Sequence, residues 1–198
     1  QPDRGTVLVE NIDITAAHCN GHLEEARKKI GFLFQNGALL NSMNVFENVA
    51  LPLREHEKLA EAEIRRRVEE KLKLVGLSEA IEKMPAILSG GMRKRASLAR
   101  AIVREPDILL YDEPPAGLDP IISATINELI VDLQKKLGVT SILVTHDMSS
   151  AFRVSDRMAF LWKGKILKIG TKDDFKNCDD PMVKQFVFGE SEGPLRAI

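Results

Sequence analysis

The sequence predicts an α/β fold built on a parallel sheet, and three stretches carry that prediction. Two short apolar runs, Ile108-Leu109-Leu110-Tyr111 and Ser141-Ile142-Leu143-Val144-Thr145, have the length and branching of buried strands. Between them runs a long amphipathic pattern over about residues 121–137, with Ile122, Ile126, Leu129, Ile130 and Leu133 on one side and Gly138 as its stop. Strand, helix and strand in that order predict parallel pairing through a right-handed crossover. The first strand ends in Asp112-Glu113-Pro114 and the second in His146-Asp147, so both deliver polar groups where open α/β sheets bind ligands.

Each remaining element has its own local reason. Val7-Leu8-Val9 and Ile12-Asp13-Ile14 flank Asn11 and predict an exposed strand at a sheet edge. Residues 30–35, IGFLFQ, read as a compact apolar strand with Gln35 at its end. From Asn36 onward the pattern turns helical, with Val45, Val49 and Leu53 near one face and Pro52 close to the end of a short helix. Leu39, Leu40, Met43 and Phe46 are its candidates for exposed apolar contact with a partner. A second helix repeats Ile64, Val68 and Leu72 every four residues inside a heavily charged exterior, and Gly76 ends it. Leu88-Ser89-Gly90-Gly91-Met92 then sets a hydroxyl and two glycines before an alanine-rich helix, an arrangement that suits a phosphate. Arg93, Lys94 and Arg95 are expected on a solvated face of that helix. Further on, residues 158–162 and 165–169 predict a hairpin around Lys163-Gly164, followed by short helices opening at Asp173-Asp174 and at Pro181.

Composition limits the classes of partner. With 198 residues, 44% hydrophobic and 29% charged, the chain can bury one substantial core, and disorder is not expected. The 28 basic and 29 acidic residues interleave to a net charge of −1, which gives no field for nucleic acid. Cys19 and Cys178 are too few for a disulfide framework and fit a reducing compartment. No apolar run approaches the ~18 residues that span a bilayer.

Taken together, LSGGM at 88–92, DEP at 112–114, AGLDP at 116–120 and THD at 145–147 resemble the ATP-binding-cassette (ABC) transporter ATPases. The resemblance implies a P-loop NTPase core with a parallel sheet, an N-terminal antiparallel β edge and a helical subdomain. The core would comprise residues 1–35 and 93–198, and the helical subdomain 36–92. It also implies ATP and Mg²⁺ as ligands. Asp112 then matches the Walker B aspartate that binds Mg²⁺, and Glu113 the glutamate that acts as general base toward the attacking water. His146 matches the switch histidine at the γ-phosphate. Gln35 matches the Q-loop glutamine that contacts Mg²⁺ or water, and Ser89, Gly90 and Gly91 match the signature that addresses a nucleotide held by the opposite subunit. Asp119 matches the D-loop aspartate of that dimer interface. Met92 and Pro115 depart from the commoner residues without removing a charge.

The P-loop pattern G-x-x-x-x-G-K-[ST] does not occur in the 198 residues. With a start at Gln1 that reads as mid-domain, this leads to the expectation that a front portion precedes the chain. Residues 1–198 by themselves are therefore expected to be inactive as an ATPase. Within the family, LFQNGALLNSMNVFENVALPLREH and QFVFGESEGPL look like the ATPases of MCE-associated (Mla-type) phospholipid transport systems. That likeness implies a homodimer on the cytoplasmic face of a bacterial inner membrane, bound to an integral-membrane permease and with an MCE-domain lipid-binding protein as a further partner. The alternatives are the ATPase of an amino-acid or methionine importer and a non-transport ABC switch protein. Against the switch stand a single cassette, no coiled-coil insertion and no basic patch.

Overall fold

The computed structural model describes residues 4–15 and 21–195, so Cys19 lies outside the described residues. The chain forms two compact units, Gln1–Val144 and Thr145–Ile198. The first opens with β1 (Leu8–Val9) and β2 (Ile12–Asp13), paired antiparallel through a turn in which Glu10 and Asn11 both have positive φ. Helix α1 (His22–Lys28) follows, with Glu24 and Glu25 in its first turn and Arg27 and Lys28 in its last, the polarity that complements a helix dipole. The sequence pattern does not announce this helix, because at seven residues only Ala26 is buried and no apolar stripe repeats.

The sheet of the first unit is three-stranded and parallel in the order β3-β4-β5, with β3 (Ile30–Leu33), β4 (Ile108–Asp112) and β5 (Thr140–Val144). Leu33 pairs with Tyr111, Tyr111 with Leu143 and Asp112 with Val144, as strand–helix–strand order predicts. Burial, however, is one-sided. Leu33, Leu109 and Tyr111 are buried, whereas Phe32, Phe34, Ile142 and Val144, on the opposite face, are exposed. The expectation that residues 141–145 form a buried strand is thus corrected: among the described residues β5 is an edge strand, with Val144 61% exposed and β4 as its principal neighbour.

Between β3 and β4 three helices pack on one another: α2 (Val45–His56), α3 (Glu61–Leu74) and α4 (Gly90–Ile102). Their cores are the stripes read from the sequence, Val45, Val49 and Leu53 on α2 and Ile64, Val68 and Leu72 on α3, all buried. Asn44 and Glu47 close a capping box at the start of α2. Lys71, buried on α3, reaches Glu105 beyond the end of α4 at 2.7 Å. Phe46 is only 6% exposed, because the guanidiniums of Arg54 and Arg65 lie over its ring at 5.6 and 4.6 Å. It is therefore removed from the set of exposed apolar candidates. Helix α5 (Pro120–Leu137) connects β4 to β5 and ends at Gly138 in the left-handed region.

In the second unit α6 (Met148–Val154) precedes the hairpin of β6 (Arg157–Trp162) and β7 (Lys165–Thr171), then α7 (Lys172–Lys176) and α8 (Pro181–Phe188). Phe160, Phe175, Cys178 and Val183 make its core, with Phe152, Trp162 and Phe186 packed around them.

Tyr111, the one tyrosine of the sequence, offers a spectroscopic reading of the first unit. Burial pushes its phenol up to about 12, and Ser141 pulls it back slightly, yet neither oxygen finds a partner of normal hydrogen-bond geometry among the described residues. A folded pKa above the unfolded value of about 10 means that the protonated native state is favoured. The resulting stability is complete below about pH 10 and is lost as pH rises toward 12. Absorbance at 295 nm should therefore show tyrosinate appearing well above pH 10 and together with unfolding. Titration near pH 10 with the fold intact would contradict the burial.

Candidate active site

At the carboxyl end of β4, Asp112 and Glu113 are both half-buried. Glu113 has φ 44°, a left-handed backbone that costs a non-glycine residue on the order of 1–3 kcal/mol and persists only where neighbours impose it. Its N–H donates to the Val144 carbonyl at 2.9 Å, and its carbonyl accepts from Ala116 N at 3.1 Å. Pro114 and Pro115, both buried, complete this turn, so Pro115 serves packing here. Asp119 is the N-cap of α5, accepting from Ile121 N and Ile122 N at 3.0 Å each.

Ser89 is the N-cap of α4 and accepts from Met92 N at 3.3 Å. The two glycines that follow have a steric reason of their own. A Cβ on Gly90 would stand 2.8 Å from Leu118 Cδ2, and one on Gly91 2.8 Å from Ile122 Cγ2. The start of α4 thus rests directly on the segment that leads into α5, which brings Ser89 and Asp119 into one neighbourhood.

Gln35 begins an exposed turn just beyond β3. Lys94 Nζ donates to the Gln35 carbonyl and, at 3.4 Å, to the Glu113 carbonyl. Arg100 of the same helix donates to the carbonyls of Gly37 and Ala38 at 2.7 and 2.6 Å. Lys94 is 5% exposed, so the expected solvated face is corrected at this residue. It lies one helical turn before buried Leu98 and two before buried Ile102, and that i, i+4 row was the signal available in the sequence. Burial lowers the Lys94 amine from its ordinary value, and the Asp112 and Glu113 carboxylates act in the opposite sense. Of its neighbours, Arg93 is exposed and Arg95 donates to the Val75 carbonyl at 2.7 Å.

Gln35, Ser89 to Gly91, Asp112, Glu113 and Asp119 therefore all belong to the first unit, where α4 links them. His146 belongs to the second unit and stands beside Asp147, the N-cap of α6. Asp147 accepts from Ser149 N and Ser150 N. Burial pushes its carboxyl up, but the hydrogen bonds from Ser150 and Ser149 outweigh that and leave it below the ordinary range.

A family pattern described as ABC transporter matches residues 1–116. The chain belongs to the ABC transporter family. A relative in Mycobacterium leprae named "probable ribonucleotide transport ATP-binding protein mkl" is 44% identical over 195 residues, covering 98% of this chain and 56% of the relative. The "intermembrane phospholipid transport system ATP-binding protein MlaF" of Haemophilus influenzae is 43% identical, covering 98% of this chain and 74% of that protein. The chain thus spans little more than half the length of the mycobacterial relative. Among solved ABC proteins, cbiO1 from Clostridium perfringens superposes with a TM-score of 0.81 at 33% identity, over 89% of this chain and 70% of that one. A dimeric ATP-binding cassette in a post-hydrolysis state with ADP and Pi gives 0.76 at 32%, over 86% and 75%. The sheet and helices described above are the ABC ATPase fold.

Mg²⁺ chemistry fits the donors present. Among the described residues no group of three or more His, Cys, Asp or Glu gathers to enclose a metal. One carboxylate and one amide oxygen, from Asp112 and Gln35, suit an ion that keeps waters and binds mainly through substrate phosphates.

Proposed function

We propose that the protein is the ATP-hydrolysing subunit of an ABC transporter that energises phospholipid transport between membranes. The observation that carries the reading is Asp112-Glu113 at the end of the central parallel strand, with Glu113 in a constrained backbone reached by the helix that Ser89 caps. Phosphoryl transfer to water needs charge neutralisation and an oriented water. In this reading Asp112 and Gln35 would hold Mg²⁺, whose charge would neutralise that of the phosphates, and Glu113 accepts the proton of the attacking water. His146 hydrogen-bonds the γ-phosphate, while Ser89, Gly90, Gly91 and Asp119 face the nucleotide of a second copy. The dimeric solved cassette supports that pairing. Residues 1–35 and 93–198 act as the ATPase core and 36–92 as the helical subdomain.

Lipid as the cargo is supported by the name of the H. influenzae relative, of which the chain covers 74%. The partners are then a permease and an MCE-domain protein, on the cytoplasmic face of the inner membrane. The described residues contain no helix long and apolar enough to cross a membrane, so crossing is assigned to the permease. The test is purification of the protein, as its gene encodes it, from membranes with its partners, followed by ATPase assay and extraction of bound molecules. Phospholipid with ATP turnover supports the reading, and a nucleotide or amino-acid cargo overturns the lipid assignment.

Permease contact is assigned to the loop before α2. Leu40 is 44% exposed, and Leu39 and Met43 are half-buried. The loop's shape is fixed from beneath, since buried Asn48 donates to the carbonyls of Leu40, Met43 and Asn44 and accepts from Leu40 N. Leu40→Glu should weaken permease association at least about fivefold, the loss expected of a contact worth over about 1 kcal/mol, with the melting temperature unchanged. Undiminished co-purification of the permease would place the contact elsewhere.

A further inference from the structure

We propose that Lys94 is a positioning residue for ATP hydrolysis, its ammonium tying the turn that carries Gln35 to the backbone of Glu113. The inference rests on the ATPase reading for its catalytic consequence but on geometry for the link itself. A lysine this buried must find acceptors, because an unpaired ammonium in an apolar interior is costly. The acceptors here are two main-chain carbonyls from opposite ends of the sequence of the site, Gln35 and Glu113. Both follow the carboxyl ends of adjacent parallel strands, β3 and β4.

Two further observations converge on the same clamp. The turn after Gln35 lies directly on α4: a Cβ on Gly37 would meet Ser97 Oγ at 2.5 Å, and Arg100 holds the next carbonyls. Lys94, Ser97 and Arg100, each three residues apart, are therefore one face of α4 bearing on residues 35–38. At the other end, the left-handed Glu113 needs surroundings that over-determine it, and Lys94 supplies a bond to its carbonyl from outside its own turn. The helix that starts at Ser89 thus sets where the Gln35 turn and the Glu113 main chain stand relative to each other. A shift of α4 is transmitted to both through one side chain.

The test uses the protein as its gene encodes it, with its membrane partner. Lys94→Met keeps the stem and deletes the donors, while Lys94→Arg restores them. The Met variant should lose roughly ten- to a hundredfold in kcat, since about 1 Å of misplacement costs up to ~10²-fold. Its KM for MgATP should stay within about twofold, the signature of an interaction needed in the transition state and not for binding. The Arg variant should recover most of the rate. Hydrogen exchange of amides 35–38, 113 and 116 should quicken in the Met variant, with α2 unchanged.

A Met variant with parental kcat and exchange overturns the proposal. So does a fall in melting temperature and rate that Arg does not repair, because that is a packing role alone. Absence of turnover in the parent protein would sink the ATPase reading, and the exchange measurement would still decide whether Lys94 holds the two segments together.

Discussion

Glu113→Gln, in the protein as its gene encodes it, should bind MgATP as the parent does and hydrolyse it about 10²- to 10⁴-fold more slowly, the usual cost of removing a general base. The side chain stays the same length, so the half-buried pocket at the end of β4 keeps its packing. Glutamine meets the left-handed φ of 44° at the same steric cost as glutamate, and the bonds of residue 113 to Val144 and Ala116 are main-chain bonds that the substitution leaves in place. What changes is that an amide accepts no proton from water at neutral pH. Calorimetric titration with MgATP and a phosphate-release assay separate the two effects. Turnover at the parental rate would remove Glu113 from the role of base, and loss of binding would show that its charge holds the nucleotide instead.

The elements around this residue differ in how plainly the sequence announces them, and the difference follows from the range of the interactions involved. The β4, α5 and β5 pattern and the α2 and α3 stripes depend on spacing within one element, so alternation and four-residue repeats reveal them. The exposure of Ile142 and Val144 does not, since an apolar run states what a strand can bury and is silent on what covers it. Phe46 illustrates the same limit, because its cover comes from Arg54 and Arg65, which the sequence presents only as charge. In the site, the carboxylates, the serine-capped glycines and Gln35 were legible as residue types in order. Lys94 is hidden within the basic triplet because its two neighbours do reach solvent or a helix end. Only its place on the row of Leu98 and Ile102 marks it as buried.

A residue with no chemistry at all should prove as sensitive as any in the site. Gly31 sits in the middle of β3, and a Cβ added there would stand 2.3 Å from the Ala101 carbonyl oxygen, 2.6 Å from Leu109 Cδ2 and 3.0 Å from Pro106 Cγ. The nearest obstacle is the main chain of α4, which cannot turn aside as a side chain does. Gly31→Ala therefore forces β3 and α4 apart, and overpacking of this kind costs typically ~1–3 kcal/mol or more. In a chain of this size each kcal/mol lowers the melting temperature by about 2–4 °C. The displacement also has a functional direction, because Lys94 and Arg100 on α4 hold the turn that follows β3. Moving the helix away from Gly31 lengthens those bonds first. The variant should melt several degrees earlier and, at a temperature where it remains folded, show a lower kcat with faster exchange at residues 35–38. A melting temperature equal to the parent's would mean that α4 does not lie against β3 at this distance, and with it would go the account of how the site is held.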